Sequence, residues 1–189
     1  MRYVNQPTPG SLADLQDDAD PEQVARTILL RRLSAAPRSR SELRSDLLRR
    51  GIPDDVADRV LDRFTEVGLV DDASYAQLWV ESRQRTRGSA RAVLRQELRR
   101  KGIDAEQAEE ALASIDADSE RDRARELARV KARGTLRLEP AARVRRLTGM
   151  LQRRGYPASM AFAVVREVLA ELSDQDDLDA LPDLPDDSR

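Results

Sequence analysis

The sequence predicts an all-α protein made of three tandem three-helix repeats that form an elongated, curved array. Three observations lead to this prediction. Apolar residues recur at spacings of three and four, β-branched alternation is nowhere sustained, and one glycine-centred pattern occurs three times. The chain has 189 residues, of which 40% are hydrophobic and 36% are charged. A core spread along amphipathic helix faces is therefore expected, rather than one large centre.

Capping and helix-breaking residues divide the chain into nine predicted helices. Asp20 precedes Pro21, which places a capping acid before a first-turn proline. Ser39 and Glu42 have the spacing of a capping box. Three glycines each follow a run of bases, where a left-handed C-cap residue belongs. The predicted helices span residues 21–36, 39–50, 53–67, 72–86, 89–101, 104–115, 118–134, 140–154 and 157–172.

The glycines Gly51, Gly102 and Gly155 mark the repeat, because they lie 51 and 53 residues apart. Alignment on them matches seven positions. Leucine stands eight and four residues before each glycine, two bases precede it directly, and a large apolar residue follows it. Alanine lies six residues after each glycine and an aliphatic residue ten after. The paired leucines predict a core-facing stripe, and the alanine predicts close approach of the next helix.

The repeats are predicted at residues 21–70, 71–117 and 118–172. One such unit would be marginally stable alone, so packing between neighbouring repeats is expected to matter. Residues 1–20 and 173–189 lack the pattern and are acidic. Both segments are predicted to be disordered tails.

Composition excludes several function classes. The chain has no cysteine and no histidine, which excludes disulfides, Cys/His zinc sites and Ser-His or Cys-His catalysis. No phosphate-binding glycine loop or nucleophile elbow is present, so neither a cofactor nor an enzyme activity is expected. The chain has no apolar run of the roughly 20 residues that a membrane span needs, and its start does not resemble a signal peptide. A cytoplasmic protein without a membrane partner is expected.

Charge is partitioned along the chain. The formal net charge is −2, but residues 21–170 hold 31 bases and 23 acids, for a net of +8. Within that body, residues 121–170 hold 13 bases and four acids. A basic body between acidic ends favours a polyanionic or acidic partner.

The predicted contact surface is a set of bases in the second and third repeats. Arg91, Arg95 and Arg99 are spaced i, i+4, i+8 and form a ridge on one helix face. Two alternatives remain open: the ridge pairs with the acidic helix that follows it, and bases at helix ends balance the macrodipole. The full set is Arg83, Arg85, Arg87, Arg91, Arg95, Arg99, Arg100, Lys101, Arg143, Arg145, Arg146, Arg153 and Arg154.

Aromatic residues are few and have two interpretations. Tyr75 and Trp79 are spaced i, i+4 and are read as a core pair, with a stacking or anchoring site as the alternative. Tyr156 and Phe162 are assigned to the core of the third repeat. Asp71 and Asp72 are interpreted as helix N-caps rather than metal ligands.

Two stretches in the second repeat resemble the RecX family, the bacterial regulators of the RecA recombinase. They read GLVDDASYAQLWVESR (68–83) and RGSARAVLRQELRRKGI (87–103). The family shows a glycine, two apolar residues and two aspartates, then a helix with "E-L-x-x-K-G". The matching residues, with Trp79 between them, are Gly68, Asp71, Asp72, Tyr75, Ala76, Gly88, Leu94, Glu97, Leu98, Lys101 and Gly102. The first repeat is similar at 39–52, and the third departs most, at Gln152 and Tyr156.

The resemblance implies a monomeric regulator whose partners are the RecA filament, single-stranded DNA and, further, duplex DNA. It implies inhibition of filament growth, ATP hydrolysis, strand exchange and the co-protease activity of the SOS response, without a cofactor. An alternative is a DNA-binding helical module such as a transcription factor, which would bind a particular duplex sequence as a two-fold dimer. A small helical enzyme is the third alternative.

Overall fold

The computed structural model describes residues 20–179, with side chains described for 20–173. This part of the chain contains α-helices, a short 3₁₀ turn at Arg133–Thr135 and no strand, so the all-α prediction is confirmed. The helices are α1 Pro21–Ala35, α2 Arg40–Arg49, α3 Asp54–Glu66, α4 Asp72–Arg87, α5 Arg91–Arg100, α6 Ala105–Ala111, α7 Ala117–Ala132, α8 Pro140–Gln152 and α9 Ala158–Asp179.

Helix α9 is longer than the sequence pattern indicated. It continues to Asp179, seven residues past the predicted end, because no proline or glycine interrupts the chain between 158 and 181. The acidic composition of residues 173–189 predicts a disordered tail, but acidic residues alone do not end a helix. The remainder of the two predicted tails, residues 1–19 and 180–189, lies outside the described residues.

The repeat positions predicted from the glycine alignment have the expected environments. Gly51, Gly102 and Gly155 all have positive φ, at 83°, 73° and 92°. The aligned leucines, the residues after each glycine, the alanines and the aliphatic positions are all buried. These residues are Leu43, Leu94, Leu147, Leu47, Leu98, Leu151, Ile52, Ile103, Tyr156, Ala57, Ala108, Ala161, Leu61, Leu112 and Val165.

The chain forms two compact units, and the second predicted repeat contributes to both of them. Unit 1 runs to Ser82 and includes 95–113, whereas unit 2 comprises 83–94 and the residues from 114 onward. In unit 1, helices α1, α2 and α3 pack around Leu29, Leu43 and Leu61.

Unit 2 is built around close packing of α7 against α9. Small residues at i, i+4, i+8 of α7, namely Ala124, Ala128 and Ala132, are fully buried beside the valines of α9. Arg125 and Arg129 on the same helix form ion pairs with Glu167 and Glu171 of α9, at 2.9 and 2.6 Å. Small side chains thus allow the helices to approach, and these partly exposed ion pairs add little to the stability of that packing.

The core assignment of the third repeat was right for Tyr156 and wrong for Phe162. Tyr156 is buried, but half of the surface of Phe162 is exposed. The buried stripe of α9 passes through Ala161 and Val165, and a residue one position from Ala161 is rotated by about 100° from it. Periodicity decided this position more strongly than side-chain hydrophobicity.

Candidate functional site

A half-buried cluster of polar and aromatic groups in unit 1 is centred on Glu42 of α2. Its Oε1 accepts a hydrogen bond from Lys101 Nζ at 2.5 Å, and its Oε2 accepts one from the Tyr75 hydroxyl at 3.2 Å. Glu42 also completes the capping box, because its Oε2 lies 3.4 Å from the Ser39 amide. One carboxylate therefore caps α2 and contacts residues on either side of Gly88, in α4 and at the end of α5.

Trp79 extends this cluster. Its ring lies 6.0 Å from that of Tyr75 in a stacked arrangement, and the Lys101 ammonium lies 4.5 Å from its centroid. The indole N–H donates to Glu97 at 2.8 Å. Tyr75 is buried and Trp79 is half-buried, so the structure supports the prediction of a core pair rather than an exposed stacking site. Glu97, the single acid among the bases of α5, thus has a structural partner.

The cluster shifts the pKa of each ionisable member. Burial disfavours the charge of Glu42, but hydrogen bonds from Lys101 and Ser39 outweigh it and hold the pKa of Glu42 below its ordinary value. Burial likewise opposes the charge of Lys101, but the bond to Glu42 leaves the pKa of Lys101 raised. Burial raises the pKa of Tyr75 and of Asp72. The site therefore favours a charged Glu42–Lys101 pair.

Asp71 caps α4 as predicted, whereas Asp72 is the first residue of that helix and instead bonds to the start of α2. Asp71 accepts from the Ser74 amide at 3.0 Å and from the Ser74 hydroxyl at 2.6 Å, at the start of α4. Asp72 accepts from the amide of Arg40, the first residue of α2, at 2.8 Å. Within the described residues, no group of three or more acids could hold a metal ion.

Repeats 1 and 2 meet in unit 1 at what we call the first joint, formed by Ser39, Arg40, Asp72, Lys101 and Gly102. The Ser39 hydroxyl donates to the carbonyl of Lys101 at 2.7 Å, and the Arg40 amide donates to Asp72. A Cβ at Gly102 would overlap the side chain of Ser41. The glycine is therefore required twice, for its positive φ and for the close approach.

Repeats 2 and 3 meet in unit 2 at a second joint that uses the same repeat positions. The amide of Ala90 donates to the carbonyl of Arg154 at 2.8 Å, and the amide of Arg91 donates to Glu120 at 2.8 Å. A Cβ at Gly155 would lie 2.5 Å from Cγ2 of Val93. Ala90 and Arg154 correspond in the glycine alignment to Ser39 and Lys101.

The second joint also has a buried tyrosine. The Tyr156 hydroxyl donates to the carbonyl of Gly88 at 3.1 Å. Burial raises the pKa of Tyr156 to about 12. The departure of the third repeat at this position thus supplies a hydrogen bond that Ile52 and Ile103, at the matching positions, have no group to form.

The predicted basic ridge is only partly available. Arg95 forms an ion pair with Glu109 of α6, and its Nη2 donates to Glu109 Oε2 at 2.9 Å. This contact agrees with the alternative that the ridge pairs with the acidic helix that follows it. The Arg91 guanidinium donates to the carbonyl of Ile115 at 3.3 Å, and Lys101 belongs to the Glu42 cluster. Among the second-repeat bases, those that are exposed and form no ion pair within the described chain are Arg85, Arg87, Arg99 and Arg100. Arg83 is half-buried and has a partner.

The third-repeat bases are less neutralised. Residues 131–154 hold eight bases and one acid, Glu139. Arg143, Arg145, Arg146 and Arg153 form no ion pair with any described residue, and Arg154 contacts the sulfur of Met150 at 2.6 Å. The contact role of all thirteen bases stays a prediction.

Sequence reasoning missed the second role of Glu42. The capping box was recognised, but its bonds to Tyr75 and Lys101 depend on how repeat 2 docks. One signal was available: Glu42 aligns with Val93 and Arg146, so this column changes chemistry in every repeat.

Helices grouped in threes, with repeated joints between groups and an arginine-rich last group, define a helical-repeat protein. Family models describing the first, second and third three-helix domains of RecX match residues 25–64, 71–112 and 118–165. The chain therefore belongs to the RecX family of regulatory proteins, and the prediction of three three-helix repeats is confirmed.

Individual relatives agree with this assignment. The chain is 47% identical over 152 residues to "Regulatory protein RecX" of Streptomyces coelicolor, covering 80% of this chain and 81% of that protein. It is 45% identical over 170 residues to the protein of the same name from Mycolicibacterium vanbaalenii, covering 87% and 92%. A crystal structure of RecX from Lactobacillus salivarius has the same fold, with a TM-score of 0.70, 21% identity, and 80% and 98% of the two chains covered.

No helix among the described residues is both long and apolar enough to cross a membrane.

Proposed function

We propose that this protein binds the filament that the RecA recombinase forms on single-stranded DNA and inhibits it. It inhibits filament growth, ATP hydrolysis, strand exchange and co-protease activity. Through these activities it regulates DNA repair, recombination and the SOS response. Membership of the RecX family carries this proposal. The protein acts in the cytoplasm as a monomer. It needs neither an enzyme activity nor a cofactor, because binding at a position where a recombinase protomer must add or move is enough to inhibit the filament.

The surface of the protein supports a polyanionic partner. The exposed arginines that have no ion pair within the described chain lie in both halves of the predicted contact set, in the second and third repeats. Arginine binds phosphate and carboxylate groups with two parallel hydrogen bonds. We propose Arg85, Arg87, Arg99 and Arg100 together with the third-repeat bases as the contact residues, and rank Arg91, Arg95 and Lys101 below them because they already bond within the protein.

The proposal is tested on preformed recombinase filaments on single-stranded DNA, with ATP hydrolysis as the measurement. The protein is added far below one molecule per recombinase protomer, at a dose too low to occupy the DNA. A progressive loss of hydrolysis is expected, because one bound molecule that blocks growth affects many protomers. Loss that begins only when the protein matches the DNA sites would instead support simple competition for DNA.

A sequence-specific DNA-binding function predicts a different result in a second experiment. Selection from random duplexes would then return a sharp palindromic site. We expect no such site for two reasons. Helix α5 offers only Gln96 for hydrogen bonds to adenine edges. One of its arginines, Arg95, already forms an ion pair with Glu109.

A further inference from the structure

The two joints define a face of each repeat that receives the next repeat. In repeat 1 this face is the start of α2, and in repeat 2 it is the start of α5. Ser39 and Ala90, the N-cap residues of these helices, are almost completely buried, with 0% and 1% of their surfaces exposed. Each joint also uses the next amide, that of Arg40 or Arg91, as a donor to a carboxylate at the start of the next repeat.

The corresponding face of repeat 3 cannot receive a fourth repeat in this way. Counting back from Gly155, Arg143 stands where Ser39 and Ala90 stand in the other repeats. Helix α8 begins four residues before that position, at its N-cap Glu139. The Arg143 amide is therefore already used inside the helix, where it donates to the Glu139 carbonyl at 3.0 Å. An extra helical turn has removed the free donors of the joint.

The same face of repeat 3 carries arginines where the other repeats carry small, acidic or apolar residues. We call Arg143, Arg145 and Arg146 the terminal arginine face. Arg145 aligns with Ser41 and Ala92, and Arg146 aligns with Glu42 and Val93. Arg145 and Arg146 are exposed, Arg143 is half-buried, and none of the three forms an ion pair with the described residues. The Nε of Arg143 is buried without a hydrogen-bond partner in this part of the chain.

The geometry points to this face as a binding site for the phosphate backbone of single-stranded DNA. Residues three apart on a helix lie about 5–6 Å apart, so Arg143 and Arg146 are neighbours on α8, while Arg145 lies about 100° round the helix from Arg146 and borders the pair on that side. Each guanidinium group can bind one phosphate group through two parallel hydrogen bonds. This assignment rests on the proposed function, because it names the part of the filament that the third repeat contacts.

An acidic protein surface is the less favoured occupant. Protein interfaces combine charge with apolar or aromatic anchors at their centre. Helix α8 itself exposes no large hydrophobic residue; of those exposed in unit 2, Leu136 and Leu138 precede its N-cap, Val130 lies on α7 and Phe162 on α9. A face of arginines without an anchor fits a uniformly charged backbone better than a folded protein.

The test gives repeat 3 the residues that repeat 2 already carries. The triple variant R143A/R145A/R146V is compared with the full-length protein in fluorescence-anisotropy titrations of an oligothymidylate at several salt concentrations. Each phosphate contact on a single strand contributes about 0.7 to the slope of log K against log salt, so loss of three contacts lowers the slope by about 2. Thermal unfolding of the variant checks that α8 is intact.

A matched control removes the same charge elsewhere. Arg26, Arg59 and Arg63 are each in an ion pair, with Glu22, Asp55 and Glu22 respectively. The variant R26Q/R59Q/R63Q should bind the oligonucleotide with nearly the original slope. A slope that falls equally in both variants would overturn the assignment, because binding would then follow net charge alone. An unchanged slope in the triple variant would also overturn it.

Two further readouts separate this inference from the proposed function. In the first readout, polyglutamate and unlabelled oligothymidylate compete, at equal total charge, for the protein that holds the labelled oligonucleotide. Weaker displacement by polyglutamate supports the phosphate assignment. Equal displacement overturns it. Filament ATP hydrolysis is measured separately. A variant that loses DNA binding confirms the phosphate site even when the original protein fails to inhibit the recombinase. A variant that binds DNA normally but no longer inhibits overturns the site and leaves the proposed function standing.

Discussion

The two joints use the same repeat positions with different side chains. In the first joint the Ser39 amide is engaged by Glu42 in the capping box, so the hydroxyl makes the bond to the next repeat. In the second joint Ala90 has no hydroxyl and Val93 has no carboxylate, so the Ala90 amide is free to make that bond. The acceptor is a main-chain carbonyl one residue before a glycine in both cases.

This difference separates what each joint requires from what it tolerates. The glycine, the carbonyl acceptor before it and an amide-to-carboxylate bond occur in both joints, formed once with Asp72 and once with Glu120. The charged Glu42–Lys101 pair occurs only in the first, and the buried Tyr156 hydroxyl only in the second. Backbone geometry defines the docking, and side chains adjust its strength and its response to pH.

The largest effect is expected for Gly102→Ala and Gly155→Ala. Both residues have positive φ, and an added Cβ would overlap Ser41 or Val93. The left-handed conformation costs about 1–2 kcal/mol and overpacking adds about 1–3 kcal/mol, so each change should lower the free energy of unfolding by about 2–5 kcal/mol. Urea denaturation measures it.

Gly68→Ala is the matched control for the glycines. Gly68 has a similar φ of +70° but no atom within 4 Å of an added Cβ. Its substitution should cost only the conformational part, about 1–2 kcal/mol. Equal losses at all three glycines would show that the joints do not depend on close approach.

A smaller effect is expected for Glu42→Gln, which distinguishes the two joints. The amide keeps the shape of the side chain but leaves the Lys101 ammonium, with 24% of its side chain exposed, without its counter-ion. A loss of about 1–3 kcal/mol in the free energy of unfolding is expected, since hydrogen bonds to charged groups are worth about that much. Fluorescence of Trp79, the single tryptophan, reports on this joint directly.

The exposed pair of Arg59 with Asp55 provides the comparison. Both side chains are mostly exposed, at 60% and 70%. Asp55→Asn should change the free energy of unfolding by less than about 0.5 kcal/mol. A Glu42→Gln loss of the same size would mean that the cluster behaves as a surface ion pair.

The first joint should lose one contribution to its stability at acidic pH, the contribution of Glu42. Glu42 has a lowered pKa in the folded protein, so its contribution is present above the ordinary value of 4.5 and disappears as pH falls through the folded pKa. The difference in the free energy of unfolding between the original protein and Glu42→Gln separates this contribution from that of Asp72. The raised pKa of Asp72 changes stability with pH in the opposite direction. Urea denaturation between pH 3 and 7 should show the difference shrinking toward acid. A pH-independent difference would contradict it.

The smallest effect is expected for Tyr156→Phe, which removes one hydrogen bond from the second joint. A loss of about 1 kcal/mol is expected below pH 10, because the Gly88 carbonyl loses its donor. With a folded pKa of about 12 and an ordinary value of 10.0, the tyrosine contribution is present below pH 10 and is lost as pH rises through 12. Lys101 and Tyr75 titrate in both proteins, so the test is the difference in the free energy of unfolding between the original protein and Tyr156→Phe, which should shrink as pH rises from 10 toward 12.

The sequence determined the helices and the repeat register with few errors, because glycine and leucine positions have strong local causes. A residue in the left-handed region before a new helix is nearly always glycine, and a core stripe has a fixed period. The Asp71 cap was predictable for the same reason, since its partner Ser74 is three residues away.

Contacts between residues far apart in the chain were not predictable from local pattern. Glu42 meets Lys101 across 59 residues, and Arg95 meets Glu109 only because α5 and α6 fold back on each other. Segregated charge indicated a contact strip, whereas packing neutralises part of that strip. Phe162 was assigned by its hydrophobicity and lies off the buried stripe.

A joint formed at fixed distances from one glycine has a consequence for how such a protein grows during evolution. Any duplication of a segment of about fifty residues copies the donor, the acceptor and the glycine together, so a new segment brings its own means of attachment. Ser39, Ala90 and Arg143 stand at the same distance from their glycines and show three side chains at one repeat position. Ser39 and Ala90 each bind the next repeat, whereas Arg143 lies inside a lengthened helix that already uses its amide.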